Sequence, residues 1–256
     1  MYKMLKKYKE IKNRYNIGCR FLNDAYNIES NIKSQEEINK KPFRSEIINF
    51  LLDSLGKDDT KYLEIGVRNP EDNFNKISSA KKISVDPGIE FKTNPVDYKM
   101  TSDDFFNQIR NGEILSRDIK FDVIFIDGLH LAEQVERDIN NSLDYIQDNG
   151  FIVLHDCNPP TEFHSRESFS YYISPAKYFW NGTTWKAFFK FRQNRELYSC
   201  CINSDWGVGI ISKNINLGEP TTVQNPFYEY HVLNENRNDS LNLIDYEVFK
   251  YKFRKD

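Results

Sequence analysis

The chain has 256 residues, enough for one sizeable core with additions and crowded for two independent domains. Hydrophobic residues at 39% and charged residues at 29%, with 19 Phe and 15 Tyr, exclude a disordered chain, and a net charge of -3 gives no general pull toward nucleic acid or an anionic membrane. The cysteines (Cys19, Cys157, Cys200 and Cys201) form neither a C-x-x-C pair nor a disulfide framework, and no apolar run reaches the roughly 20 residues of a membrane span, so a cytoplasmic location is expected.

Between Lys3 and Arg14, six Lys or Arg stand against one Glu, which reads most simply as a solvated helix face and otherwise as a contact for a phosphate-bearing partner. From Pro42, the residues Phe43, Ile47, Phe50, Leu51 and Leu55 recur at helical spacing and Gly56 stands where a helix ends. Residues 1–58 are therefore expected to form an N-terminal helical extension. Strand and helix then alternate: KYLEI, a loop and short helix through Ile77, KKISVD, a short strand at 98–100, and SDDFFNQIR as a helix with a Ser/Asp cap. FDVIFID, the amphipathic LAEQVERDINNSLDYI and, after Gly150, FIVLHD follow. Buried strands alternating with helices predict an α/β, doubly wound, mostly parallel sheet. An insertion at about 158–195 contains the helix TTWKAFFKFR, ELYSCCI and WGVGIIS predict an antiparallel hairpin, and 216–256 reads as an appendage that covers something or joins a partner.

In such a sheet, ligands bind beyond the carboxyl ends of the strands. Those ends carry Glu64, Gly66 and Arg68, then Asp86, then Ser102 and Asp103, then Asp127, Gly128 and His130, and lastly His155 and Asp156. The first loop lacks G-x-G-x-x-G, which disfavours a dinucleotide, whereas Asp86, 22 residues after Glu64, suits a ribose diol. An acidic rim without a phosphate loop fits a positively charged nucleoside such as S-adenosylmethionine. Asp127, His155 and Asp156 are expected to converge, because neighbouring strands lie ~4.8 Å apart. Two carboxylates and an imidazole can bind a divalent cation, with the imidazole drawing the choice toward Fe, Mn or Zn; His130 could complete a two-histidine set.

YLEIG, SVDP, FDVIFIDGLH and GFIVLHD in that order resemble a class I S-adenosylmethionine-dependent methyltransferase, over about residues 60–212. The nearest likeness is to metal-dependent O-methyltransferases of antibiotic and surface-polysaccharide sugar pathways. The resemblance implies a methyltransferase domain at 59–215 with Rossmann-like strand order 3-2-1-4-5-7-6. It also implies a cofactor floor at Glu64 and Gly66, ribose on Asp86, adenine near Ser102 and Asp103, and a further cofactor contact at Asp127. The usual second glycine is absent from GVRNPEDN, so Arg68 and Asn69 are the expected contacts to the methionine carboxylate. In similar enzymes, positions matching Asp127 and Asp156, with an acidic residue often matching His155, hold a magnesium-like ion; here Fe, Mn and Mg all stay open. Asp127, His130 and His155 are the catalytic candidates.

Trp180, Trp185, Lys186 and Arg192, with His164 and Arg166 before them, suggest a covered acceptor site for a nucleotide-activated sugar such as a heptose, although Trp185, Phe188 and Phe189 also fit a buried helix face. The alternatives are a metal-independent small-molecule methyltransferase, a metal-dependent hydrolase and a non-catalytic partner module. A homodimer through the terminal helices is a further expectation.

Overall fold

The alternating segments build a seven-stranded sheet in a computed structural model that describes residues 2–91 and 93–253. Its strands are β1 (Lys61–Ile65), β2 (Lys81–Val85), β3 (Phe121–Ile126), β4 (Ile146–Leu154), β5 (Tyr198–Ile202), β6 (Val208–Ser212) and β7 (Leu243–Ile244), in the order β2-β1-β3-β4-β6-β5-β7. β1 pairs in parallel with β2 and β3, and β3 with β4, while β6 runs antiparallel to both β4 and β5. This is the expected Rossmann-like order, with β7 added as an outer strand parallel to β5.

The expected strand at 98–100 is reduced to one parallel bridge between Val85 and Tyr98. The carboxylate of Asp97 accepts from both the backbone N and the hydroxyl of Ser84, so a side chain occupies a place that a ladder bond would take. β4 starts earlier than Gly150, because Ile146 already pairs with Phe121 across an irregularity in the register.

The three helices of the N-terminal segment are α1 (Tyr2–Leu22), α2 (Ala25–Asn39) and α3 (Arg44–Ser54). α4 (Ser102–Asn111), α5 (Ala132–Tyr145) and α6 (Thr184–Arg192) lie along the sheet, and α7 (Tyr230–Glu235), α8 (Arg237–Leu241) and α9 (Tyr246–Tyr251) belong to the C-terminal segment. The cap of α4 is Thr101, whose hydroxyl accepts from Asp104 N, rather than the Ser/Asp pair that follows it.

Alternation along the strands divides the core. Leu63, Ile65, Ile124, Ile126, Ile152 and Leu154 belong to one cluster with Phe105, Val135, Trp185 and Phe188 from α4 to α6. Tyr62, Val123, Phe125, Phe151 and Val153 belong to the other, with Ile47, Ile48, Leu51 and Leu52 of α3 and with Phe249 of α9. A sheet covered on both faces explains why its strands read as nearly unbroken apolar runs. Trp185, Phe188 and Phe189 are thus core residues, as a helix face predicts.

Candidate active site

The crevice is defined by how tightly the first and third strands end together. Gly66 has φ 85°, and a Cβ there would lie 2.3 Å from the carbonyl oxygen of Asp127 and from the Cα of Gly128. Only glycine permits this approach, which brings the first loop against the D-G-x-H loop. Glu64 is buried two residues earlier in the strand, accepting from the Tyr62 hydroxyl at 2.5 Å and from Asn73 Nδ2 at 2.8 Å. Burial pushes its pKa up to about 7 against those two hydrogen bonds.

Asp127 follows β3; His155 and Asp156 follow β4. Asp156 has φ 60°, a left-handed conformation that aspartate tolerates better than most residues and that turns the chain at the strand end. His130 Nε2 lies 3.2 Å from Asp127 Oδ1, and its Nδ1 lies 3.2 Å from Asp156 Oδ2. His155 Nδ1 lies 3.2 Å from Asp127 Oδ1 and 3.3 Å from Asp156 Oδ2, while its Nε2 faces Asp205 Oδ1 at 3.4 Å. Among the described residues, Asp127, His130 and Asp156 offer ligand atoms all within 4.8 Å of one another. The structure therefore brings all four predicted residues together, with His130 rather than His155 in the tightest donor set.

Burial alone would raise the pKa of Asp127, yet the imidazoles of His155 and His130 and the Arg44 guanidinium hold it well below the usual carboxylate range. Burial alone would lower the two histidines, but the Asp156 and Asp127 charges outweigh it; His130 is raised and His155 is raised well above the ordinary value. His155 faces carboxylates through both ring nitrogens, and Arg44 Nη1 also lies 3.5 Å from its Nε2; the carboxylates prevail, which favours its protonated form.

Three contributors have no signal in the sequence. Arg44, at the start of α3, places Nε 3.7 Å from Asp127 Oδ2 and donates Nη1 to Asp205 Oδ2 at 3.1 Å. Asp205, from the β5–β6 turn, also accepts from the backbone N of Arg44 at 2.8 Å. Asn181 is fully buried, and its Nδ2 donates to Asp156 Oδ1 at 2.8 Å and to Trp206 O at 3.3 Å. Around Asn181, Trp180 stacks on His130 at 5.2 Å, and Gly182 and Thr183 pack on the His130 backbone, where Thr183 N donates to His130 O at 2.8 Å. The WNGT segment thus closes the insertion onto the site.

The expected cofactor contacts are held in their own loops. Asp86 accepts from Arg68 N, Gly88 N and Asn94 Nδ2. Arg68 pairs with Asp72 at 2.7 Å and is 61% exposed, and Asn69 Nδ2 also donates to Asp72, so neither side chain is directed by this structure to a methionine carboxylate. Ser102 donates to Asp138 of α5 at 2.6 Å, and Asp103 pairs with Arg137.

On the acceptor side, Arg166 donates to the carbonyls of Phe163, Phe179, Lys177 and Ser168, and Arg192 to those of Ser199 and Glu219. Both are structural and neither is free for a diphosphate. A cavity of about 1030 Å³ lies between α2, the insertion and α7, lined by Tyr26, Lys33, Phe163, Tyr171, Lys186 and Phe227 among others.

A mostly parallel sheet ending in an antiparallel hairpin, with a carboxylate and histidine cluster at its carboxyl edge, is the Rossmann-like arrangement that the sequence resemblance implies. Residues 70–157 match the family described as "Methyltransferase domain", a stretch that begins in the first loop and runs through Asp86, Asp127, His130, His155 and Asp156. The domain match and the strand order together support a class I S-adenosylmethionine-dependent methyltransferase.

Among solved structures, the chain is similar to an O-methyltransferase from Bacillus cereus in complex with SAH (15% identity, 73% of this chain and 89% of that one, TM-score 0.42). It is also similar to the plantazolicin methyltransferase BpumL in complex with SAH (13% identity, 83% and 100% covered, TM-score 0.44). A third likeness is to the SAH-bound methyltransferase PaMTH1 of Podospora anserina (15% identity, 80% and 96% covered, TM-score 0.41). No curated protein matches the chain.

Proposed function

We propose that the protein transfers a methyl group from S-adenosylmethionine to a sugar hydroxyl, that of a nucleotide-activated sugar such as a heptose destined for surface polysaccharide, with a divalent cation at Asp127, Asp156 and His130. The observation that carries this reading is the convergence of these three side chains at the ends of β3 and β4. The donor chemistry fits a cation: two carboxylates and an imidazole suit Fe, Mn or Mg, in that order of preference for the nitrogen ligand. Asn181 adds to the fit. Both partners of its Nδ2 are acceptors, so the amide orientation is fixed, and its buried Oδ1 has no partner. An orphaned buried carbonyl oxygen beside Asp156 is suited to face a cation or its water.

When bound, the cation supplies a lowered pKa for a coordinated hydroxyl, in the way that it takes bound water from about 16 to about 7. The chain's own residues do the remainder. Gly66 and the D-G-x-H loop set the floor at which cofactor and acceptor meet, and Asp86, freed from part of its own loop, takes the ribose. Asp127, half-buried and with a second carboxylate oxygen beside the one given to the cation, is the group to which the hydroxyl proton passes; without a cation, His130 takes that role. His155, kept protonated by the carboxylates around it, positions Asp127 and Asp156 and is not the base. Trp180 and the WNGT segment exclude water from that side.

The part of the acceptor remote from the reacting hydroxyl suits the aromatic walls of the cavity, whose lining includes none of Asp127, His130, His155 and Asp156. With Arg166 and Arg192 bound to backbone carbonyls, and Lys33 paired with Glu29 at 2.7 Å and donating to Pro160 O, Lys186 is the lining cation offered to a diphosphate. One observation favours a metal-independent variant of the same reaction: Arg44 and His155 already balance much of the carboxylate charge. Methyl transfer to a panel of nucleotide-activated sugars, measured before and after chelation and after re-addition of Mn, Fe or Mg, tests the proposal. Turnover that needs an ion supports the cation; full turnover without one supports the variant; none with any sugar contradicts the acceptor class.

A further inference from the structure

α1 is 21 residues long and buries none of them. At 100° per residue, Met4, Tyr8, Ile11, Tyr15 and Leu22 fall within an arc about 60° wide. They are 57% to 78% exposed. Lys7 and Lys12 lie about 40° outside that arc on either side, Lys3 and Arg14 lie beyond Lys7, and the far face carries Lys6, Lys9 and Arg20, while exposed Tyr2, Leu5 and Ile17 also stand off the stripe. The helix holds seven Lys or Arg against the single acidic residue Glu10. A continuous exposed apolar stripe of this kind marks an interaction surface, and its borders state the chemistry of the partner.

We infer that α1 is a peripheral membrane anchor that lies on a bilayer surface rich in anionic lipid. Its apolar stripe enters the boundary between headgroups and acyl chains, and Lys7 and Lys12 extend their stems along it to reach the lipid phosphates. Charge complementarity selects this occupant. A second copy would set one strongly basic helix against another with no acidic row to answer it. A nucleic acid would neutralise the lysines but leave the stripe in water. An anionic bilayer covers both faces at once. The helix lies on the membrane and does not cross it, since no helix among the described residues is long and apolar enough to span one. The inference is independent of the acceptor proposed above.

The test is flotation of the full-length protein with vesicles of phosphatidylcholine alone or with about one-third phosphatidylglycerol, at low and high salt. The expected result is binding only to the anionic vesicles, weakened by salt and reduced at least tenfold both by Ile11→Asp and by the pair Lys7→Glu with Lys12→Glu, since each basic residue contributes roughly fivefold in affinity. SAH binding by calorimetry should be unchanged in both variants, because α1 touches neither core nor crevice; this separates lost binding from lost folding. No flotation, or equal flotation with neutral vesicles, overturns the inference. So does a dimer in sedimentation that Ile11→Asp dissociates, or binding to a DNA or RNA duplex that exceeds vesicle binding and ignores Ile11→Asp.

Discussion

His164 is fully buried and joins α2 to the insertion through a chain of hydroxyls whose proton directions can be assigned. Ser34 donates to Ser30 O at 2.7 Å, so at 2.9 Å its oxygen accepts from His164 Nε2, which carries the proton. His164 Nδ1 is then the acceptor for Thr161 at 2.8 Å, and Ser30 donates to Thr161 at 3.2 Å. Every proton has one place, and an imidazolium has none for its second. Burial, with Arg166 and Lys33 nearby, lowers the pKa to about 3.

A base whose folded pKa lies below its unfolded value of about 6.5 leaves the unfolded chain binding more protons between the two. Stability therefore rises with pH from about 3 to about 6.5 and is flat above. At pH 5 the unfolded imidazole is about 1.5 pH units into its protonated range while the folded one stays neutral. The cost relative to pH 8 is about 2 kcal/mol. Urea unfolding at pH 8 and pH 5 of the wild type and of His164→Gln measures it. The variant loses some stability at pH 8, and its loss between pH 8 and pH 5 is smaller than the wild type's by about 2 kcal/mol. Groups shared by both proteins cancel in that difference. Equal pH dependence in the two would refute the assignment of a neutral His164.

Glu64 supplies the opposite sign. Its folded pKa of about 7 exceeds its unfolded value, so its contribution is present at low pH and lost as pH rises toward 7; Glu64→Gln should be more stable than wild type at pH 8 and show a flatter thermal midpoint between pH 5 and 8. Gly66→Ala should cost at least about 2 kcal/mol, from the left-handed backbone and the overlap with Asp127, and should abolish SAH binding in calorimetry. Asp156→Asn should lower turnover at least about a hundredfold while SAH binding holds within a few-fold, and the same enzyme should no longer respond to added Mn.

The sheet was legible because each central strand is a short apolar run bounded by a turn, and because two-sided burial leaves little else that FDVIFID can be. The edge at Tyr98 was not, since Asp97 replaces backbone pairing with its own carboxylate, which no periodicity reports. In the site, Asp127, His130, His155 and Asp156 stood out as polar residues directly after such runs. Arg44, Asp205 and Asn181 did not, because each comes from a helix start, a turn or the insertion, where polar residues are ordinary and only tertiary packing selects one. Thr101 was hidden by the Ser102 beside it, which looks like an equal cap but is buried against Asp138. Arg166 and Arg192 show the converse: a basic residue near an acceptor site reads as a phosphate contact until its carbonyl partners are seen.

Metal-assisted methyl transfer requires a cation site at the ends of β3 and β4 that adjoins the methyl donor. Anomalous diffraction from crystals grown with SAH and Mn tests it most directly. A single manganese peak bonded to Asp127, His130 and Asp156 is expected, with SAH lying over Gly66 and its ribose on Asp86. SAH bound there with no anomalous peak beside Asp127 and Asp156 would contradict the cation, and manganese bound there with SAH elsewhere would contradict the methyl-transfer geometry itself.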